Sequence, residues 1–231
     1  FEIRDASANF IYSDVENVYE VSPTKDNFSY GLTQQNQSKI VTDSNGYCYV
    51  LYGTGSSTYY IEVSQDTTCT TWQGTPLQLT ASTACTTISA DSYGNGPTMI
   101  IAGTKLFFLY SNTEASANKM CARSATITPG SPPTISLNSD ETVVFSTASP
   151  GYMNQPQLIQ ASDGAIWAGR YDRVIADQFN IKRSTCSPSP CITSWSSFVI
   201  IDSVTSKGSV SLAILGSGKV MGIYSEGSTL Y

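Results

Sequence analysis

The chain has 231 residues, of which 40% are hydrophobic and only 13% are charged, and its formal net charge is −6. This length and apolar content suit a folded domain with a sizeable core and exclude a disordered chain. The negative charge argues against a nucleic-acid partner, whose phosphates need Lys and Arg, and no apolar run is long enough for membrane insertion.

The first residues of the chain favour short strands. Phe1 to Ser7 and Asn9 to Tyr12 are candidate strands, with Asn17 to Val21 as a third. Joined to the last residues of the chain, Ser228 to Tyr231, the first segment resembles Thr58 to Ser64 in residue type. We therefore expect the N-terminal strands to lie beside the C-terminal ones, where they would cover an otherwise bare sheet edge.

Four copies of one strand–turn–strand pattern follow. In each copy an apolar strand leads to a tight turn that contains Gly, and a second strand ends on Tyr. Gly with Asn, Asp or Ser provides the positive φ that hairpin turns require. A spacing of roughly 55–60 residues predicts one repeated supersecondary unit. The copies cover Lys39–Tyr52, Met99–Tyr110, Leu158–Tyr171 and Leu212–Tyr224.

Two of the copies continue in the same way. Thr58 to Ser64 and Gln178 to Ser184 alternate as half-buried third strands do, and Thr75 to Leu79 and Phe198 to Ile201 follow as fourth strands. Four antiparallel strands per unit, repeated, are typical of β-propeller blades. We predict an all-β chain that forms a single propeller domain over residues 1–231, with about four four-stranded blades. The repeats cover 34–80, 95–146, 152–202 and 208–231 plus 1–22. The N-terminal strands would close the ring; a fragment of a larger propeller is the alternative.

The cysteines indicate disulfides. An even number of Cys, without His or Cys-x-x-Cys spacing, favours disulfides over zinc, with buried free thiols as the alternative. Cys186 and Cys191 enclose the short segment Ser-Pro-Ser-Pro and are predicted to pair with each other. Disulfides form in oxidising compartments, so we expect a secreted or cell-surface protein. Three pairings stay open for the remaining residues, Cys48, Cys69, Cys85 and Cys121.

The segment from Ser64 to Trp72, Ser-Gln-Asp-Thr-Thr-Cys-Thr-Thr-Trp, resembles the Asp-box of sialidase-like propellers. The resemblance implies a turn between third and fourth strands in which Asp66 accepts backbone N–H bonds and Trp72 packs between blades. Thr68 stands where the box has Gly, and the Trp comes one residue late. Ser184 to Trp195 keeps the two ends of the motif and has the cysteine loop in place of the Asp. Because the box is structural, it implies a fold and no activity.

Catalytic signals in the sequence are sparse. Without His there is no Ser-His-Asp or Cys-His catalysis, and the Phe/Tyr-Arg-Ile-Pro motif of sialidases is missing. A pair of carboxylates, as in glycosidases, stays possible, and no catalytic residue can be assigned. Asp43 to Gly46 faintly resembles a calcium loop but lacks the later acidic ligands, so we predict a hairpin turn there. No metal or other cofactor is expected.

One local group of residues suits ligand binding. Trp167, Arg170, Tyr171, Asp172 and Arg173 fall within a predicted strand and its exit turn. Arg, Asp and aromatic side chains together recognise sugars and carboxylates. The alternative is that Trp167 belongs to the core, Tyr171 is the repeat Tyr, and the charged residues form a solvated loop.

We predict a recognition or surface module that binds a glycan or a protein ligand through its loops. The scarcity of catalytic residues favours binding over enzymatic activity, although it leaves an enzyme open. One alternative is a sialidase-like or other propeller-type glycoside hydrolase, and another is a structural subunit of a surface layer or extracellular filament. A homo-oligomer is compatible with each of these functions.

Overall fold

The computed structural model describes residues 2–4, 10–13, 39–54, 57–88, 96–113, 118–147, 153–172, 178–202, 207–215, 218–226 and 229–230. These residues form strands, turns and irregular segments, with no helix among them. The strands are β1 (Glu2–Arg4), β2 (Phe10–Ser13), β3 (Ile40–Thr42), β4 (Cys48–Gly53), β5 (Tyr59–Val63), β6 (Leu77–Leu79), β7 (Thr98–Ala102), β8 (Lys105–Thr113), β9 (Asn118–Thr128), β10 (Thr134–Leu137), β11 (Thr142–Thr147), β12 (Met153–Gln160), β13 (Ile166–Asp172), β14 (Gln178–Arg183), β15 (Val199–Asp202), β16 (Lys207–Ile214), β17 (Val220–Glu226) and β18 (Thr229–Leu230).

The strands pair antiparallel, and each of the four strand–turn–strand copies lies in its own sheet. Sheet 1 has the order β3-β4-β5-β6, and sheet 3 has the order β12-β13-β14-β15. Sheet 2 has the order β7-β8-β9-β10, with β11 also paired to β9, and sheet 4 has the order β16-β17-β18. The prediction of an all-β chain built from antiparallel sheets is confirmed. So are the third and fourth strands of the first and third repeats, which are β5, β6, β14 and β15.

The first two strands of each repeat join through the predicted glycine turns. In the turn between β3 and β4, Gly46 has a φ of +92°, a conformation that side chains with a Cβ rarely adopt. Asp43 Oδ1 accepts the N–H groups of Asn45 at 2.9 Å and Tyr47 at 3.0 Å. Asp43 thus stabilises a hairpin turn, as predicted, and its carboxylate is occupied by these backbone donors and by the Tyr49 hydroxyl at 2.9 Å.

Successive sheets pack against each other, and each sheet turns opposite faces to its two neighbours. Tyr49 of β4 shares a core with Leu106 of β8. On the other face of β8, Phe107 shares a second core with Ile166 of β13. The other face of β13 shares a third core with Leu212 of β16. The first strands β3, β7, β12 and β16 contact one another in the same series. We call the face toward the preceding sheet the back face, and the face toward the following sheet the forward face.

The position of the repeat Tyr differs from the prediction. The second strands do not end on Tyr, since β4 continues to Gly53 and β8 to Thr113. Tyr110 lies on the back face of sheet 2, within the core shared with sheet 1. Tyr171 instead lies on the forward face of sheet 3. Its neighbour Arg170 occupies the back face, because successive strand residues point to opposite sides.

The N-terminal strands form a ladder of their own. β1 pairs antiparallel with β2, and β18 pairs with β17, in two separate sheets. The expected pairing of the N-terminal segment with the C-terminal strands is not among the described ladders, and it stays a prediction. Phe1, residues 5–9, the predicted strand Asn17 to Val21 and Tyr231 lie outside the described residues.

All six cysteines are paired. Cys186 is bonded to Cys191, as the sequence predicted. The other two disulfides, which the sequence left open, join residues 48 and 69 within sheet 1, and residues 85 and 121. The second of these ties the connection between sheets 1 and 2 to strand β9.

Candidate functional site

Strand β13 separates the members of the predicted ligand-binding group. Trp167 and Tyr171 lie on the forward face and pack toward sheet 4. Arg170 lies on the back face and points toward sheet 2. Asp172 is the last residue of β13, and its side chain lies outside the described residues, as does all of Arg173. The described part of this group therefore does not converge on one surface.

Arg170 belongs to a different group, which spans sheets 2 and 3. Its guanidinium carbon lies 4.8 Å from the centre of the Phe145 ring on β11, and the side chain is only 6% exposed. Lys182 Nζ lies 5.6 Å from the same ring centre. Burial and, second, the positive charge of Arg170 lower the pKa of Lys182. Two cations thus share one aromatic ring between the sheets.

Most of the buried Asn, Gln, Lys and Arg side chains lie at mid-strand or toward one end of the sheets. We call it the loop end: there, second strands end and third strands begin, away from the hairpin turns. Glu62, which is also buried, lies near the hairpin end of β5. Asn180 Oδ1 and Gln157 Nε2 have no hydrogen-bond partner among the described residues, although both side chains are buried. The residues of this set are Lys39, Asn112, Asn118, Gln157, Arg170 and Asn180.

Lys39 is a buried cation beside the first strand of sheet 1. It precedes β3, and its ammonium group donates to the carbonyl of Pro97, just before β7. Burial lowers the pKa of Lys39 to about 7, because the charged form loses its hydration. A fraction of this amine is therefore neutral at physiological pH. Sequence reasoning did not predict this burial, because an isolated Lys before an apolar strand is usually solvated.

A groove of about 270 Å³ opens beside this set at the loop end of sheet 1. Ser57, Gln78, Thr80 and Thr87 line it together with apolar residues of the same segment. The hydroxyl of Thr87 donates to Oδ1 of the buried Asn112 at 2.7 Å. Hydroxyl and amide groups in a shallow groove are the partners that sugar hydroxyls and peptide groups use.

Glu141 fixes the chain segment that forms one wall of this groove. Its carboxylate accepts the N–H groups of Ser82 at 2.9 Å, Ala84 at 2.9 Å and Cys85 at 3.0 Å, and the hydroxyl of Tyr110. Burial and, second, the bond to Glu141 raise the pKa of Tyr110 above its usual range. Sequence reasoning missed Glu141, because its partners lie far away along the chain and a single Glu in a loop carries no periodic signal.

The Asp-box-like turn lies at the opposite, hairpin end. Asp66 accepts the N–H groups of Thr68 at 2.9 Å, Thr70 at 3.1 Å and Thr71 at 3.0 Å, and the hydroxyls of the same three residues. The hydroxyls of Thr71 and Thr68 contribute most to holding the pKa of Asp66 well below its usual range. The predicted acceptor role of Asp66 is confirmed, and Trp72 is buried. This carboxylate is saturated with donors, so its role is structural.

Within the described part of the chain, no group of three or more His, Cys, Asp and Glu residues could hold a metal ion. Among those same residues, no helix is long and apolar enough to cross a membrane.

Among known proteins, the chain has a structural similarity to a solved structure but no match to a family model or a curated sequence. A solved structure of a protein of unknown function from Dyadobacter fermentans DSM 18053 is similar, with a TM-score of 0.49 and 12% sequence identity. The match covers 80% of this chain and 55% of that one, so the chain spans about half the length of the protein it resembles.

Proposed function

We propose that the chain is an extracellular recognition module whose sheets are the blades of a sialidase-like propeller. Its ligand, a glycan or a protein, would bind at the loop end. The site would combine the groove of sheet 1 with the buried polar side chains of sheets 2 and 3.

The packing of the sheets supports the propeller part of this proposal. In a two-sheet sandwich, repeats would meet through equivalent faces. Here the forward face of each sheet meets the back face of the next, at the sheet 1–2, 2–3 and 3–4 contacts. Repeats related by rotation about an axis pack in this head-to-tail manner. The contacts among the first strands fit an axis that runs beside them.

The buried polar side chains at mid-strand and toward the loop end are the observation that carries the binding proposal. Burying an amide without a hydrogen bond costs free energy, and an apolar residue would serve the core better. Asn180 Oδ1 has no partner among the described residues, and Arg170, which lies opposite Asn180 in the ladder, packs on the Phe145 ring. Gln157 Nε2 also lacks a described partner, but Gln157 lies opposite Gly169 and therefore faces sheet 4. Polar groups held in place on strands are suited to a ligand that supplies the missing partners.

The disulfides support an extracellular location. All six cysteines are bonded, and Cys186 and Cys191 form a small surface loop. Structural disulfides such as these three persist in oxidising compartments and are rare in cytosolic proteins.

Binding to an array of defined neutral and acidic oligosaccharides tests the glycan form of the proposal. We expect binding by the wild-type chain, and at least about tenfold weaker binding of the same glycan by Asn180→Leu, because one buried hydrogen bond would be lost. Leu has the same number of side-chain heavy atoms and the same branching as Asn, and it removes an acceptor without a described partner, so the variant should fold. Asn45→Ala, in the hairpin turn of sheet 1, is the matched control and should bind like wild type.

Two results would contradict the proposal. If Asn180→Leu binds as tightly as wild type while Asn45→Ala binds more weakly, the site is at the hairpin end. If the wild-type chain binds no glycan on the array, the glycan form fails. Isothermal titration with any array hit separates binding in solution from adsorption.

A further inference from the structure

The central strand of sheet 4 has one side that is only partly paired. In sheet 1, β4 pairs with β5 along Tyr49–Gly53, and in sheet 3, β13 pairs with β14 along Trp167–Asp172. In sheet 4, β17 pairs with β18 at Ser225 and Glu226 only. Among the described strands, none pairs with Val220–Tyr224 on the side away from β16. We call this stretch the open lane.

Exposed apolar residues lie beside the open lane. Phe198 to Ile201, in and before the outer strand β15 of sheet 3, are all exposed, Phe198 by 55% and Val199 by 54%. The outer strand β6 of sheet 1 differs, because its exposed Gln78 is followed by the buried Leu79. Ile201 Cγ2 lies 3.3 Å from the position of a Cβ on Gly222 in β17. An outer half of sheet 4 would therefore cover the side chains of β15 that face it.

We infer that the pair β1–β2 is this outer half of sheet 4, with β1 in the open lane and β2 outside it. An isolated two-stranded sheet is marginally stable in water, so the pair needs a surface on which to dock. The pair is antiparallel, as are the third and fourth strands of sheets 1 and 3. In residue type, Glu2 and Ile3 match Glu62 and Val63 of β5. The inference concerns the fold and does not depend on the identity of the ligand.

The register of the docked strand follows from the other sheets. The hairpins of sheets 1, 3 and 4 close with the same backbone bond, which runs from Asp43 N to the carbonyl of Tyr47 in sheet 1 and from Leu215 N to the carbonyl of Lys219 in sheet 4. Tyr49 and Met221 both lie two residues beyond that carbonyl and are thus equivalent. Because Tyr49 pairs with Val63, the match places Ile3 opposite Met221.

A designed disulfide tests this register in the 231-residue chain. We expect Ile3→Cys with Met221→Cys to form an intrachain disulfide in most molecules, seen as monomer on a non-reducing gel and by peptide mass mapping. Trp167→Cys with Arg183→Cys, the equivalent pair in sheet 3, is the positive control. If only that control forms its bond, the inference is wrong. If the bond between residues 3 and 221 joins two chains, the strand is donated by a second copy, and the intrachain assignment is equally overturned.

Hydrogen exchange provides a test that does not need new cysteines. Pro lacks the N–H group of a ladder strand, so Ile3→Pro should displace β1, whereas Ile3→Val should keep it. We expect amides of Val220–Tyr224 to exchange at least tenfold faster in Ile3→Pro than in Ile3→Val. Amides of β8 in sheet 2 should be unchanged, which shows that the rest of the chain stays folded. Equal exchange of the open lane in both variants would refute the inference.

Discussion

The turns that connect the third and fourth strands of sheets 1 and 3 share one backbone arrangement. Ser64 to Trp72 in sheet 1 and Ser184 to Trp195 in sheet 3 are each spanned by an isolated antiparallel bridge between the Ser and the Trp. In both, the Ser hydroxyl accepts the N–H of the first residue of the second strand at 2.9 Å. Cys48 is that residue in sheet 1, and Ile166 in sheet 3. The two turns therefore attach to their sheets in the same way.

The interiors of the two turns are stabilised by different chemistry. In sheet 1 the Asp66 carboxylate holds the loop through backbone and hydroxyl donors, and the bond from Cys69 to Cys48 ties it to β4. In sheet 3 the longer loop has no such carboxylate and is closed on itself by the Cys186–Cys191 disulfide. The bridge between Ser and Trp, with the Ser hydroxyl bond, therefore determines where each turn attaches to its sheet. The loop between them can be stabilised either by hydrogen bonds or by a disulfide.

The largest expected difference between the turns lies in their disulfides. The sequence separation is 21 residues for Cys48–Cys69 and 5 for Cys186–Cys191. Loop-closure entropy predicts that replacing the first pair by Ala lowers the free energy of unfolding by about 3 kcal/mol, and replacing the second by about 2 kcal/mol. Urea denaturation under non-reducing conditions measures both. If the free energy of unfolding falls more on removing Cys186–Cys191 than on removing Cys48–Cys69, contacts in the folded state outweigh chain entropy here.

The shared backbone arrangement predicts nearly equal effects of two serine substitutions. Ser64→Ala and Ser184→Ala each leave a buried backbone N–H without its acceptor, which costs about 1–3 kcal/mol. Ser44→Ala, at an exposed hairpin position, should cost less than about 0.5 kcal/mol. Thermal unfolding of the three variants tests the equivalence. If Ser184→Ala behaves like the Ser44→Ala control, the two turns are not held by the same arrangement.

The smallest expected effect distinguishes the turns by pH. Folding lowers the pKa of Asp66, so the ionised carboxylate stabilises the folded state. Its contribution to the free energy of unfolding is complete above the unfolded pKa of about 4 and is lost as pH falls toward the pKa in the folded state. The melting temperature of the wild type should thus fall more steeply from pH 5 to pH 2 than that of Asp66→Asn. At neutral pH we expect the variant to melt a few degrees lower. Replacing Cys186 and Cys191 by Ala should preserve the wild-type slope, and a flattened slope there would contradict this account.

Local signals in the sequence were sufficient for much of the fold. The glycine turns, the alternating third strands and the short loop between Cys186 and Cys191 each depend on residues that are neighbours along the chain. The acceptor role of Asp66 belongs with them, because its donors lie within five residues. Such features follow from backbone preferences and short-range hydrogen bonds, which a sequence displays directly.

The faces of the strands and the partners of distant residues needed the tertiary structure. The sequence grouped Arg170 with Trp167 and Tyr171, but a step of one residue along a strand reverses the face, so Arg170 packs on Phe145 instead. The other two disulfides, the Glu141 network and the burial of Lys39 likewise join segments far apart in the chain. The sequence by itself determined the repeated strand–turn units, because these are local. Which side chains became buried together was decided only when the sheets packed.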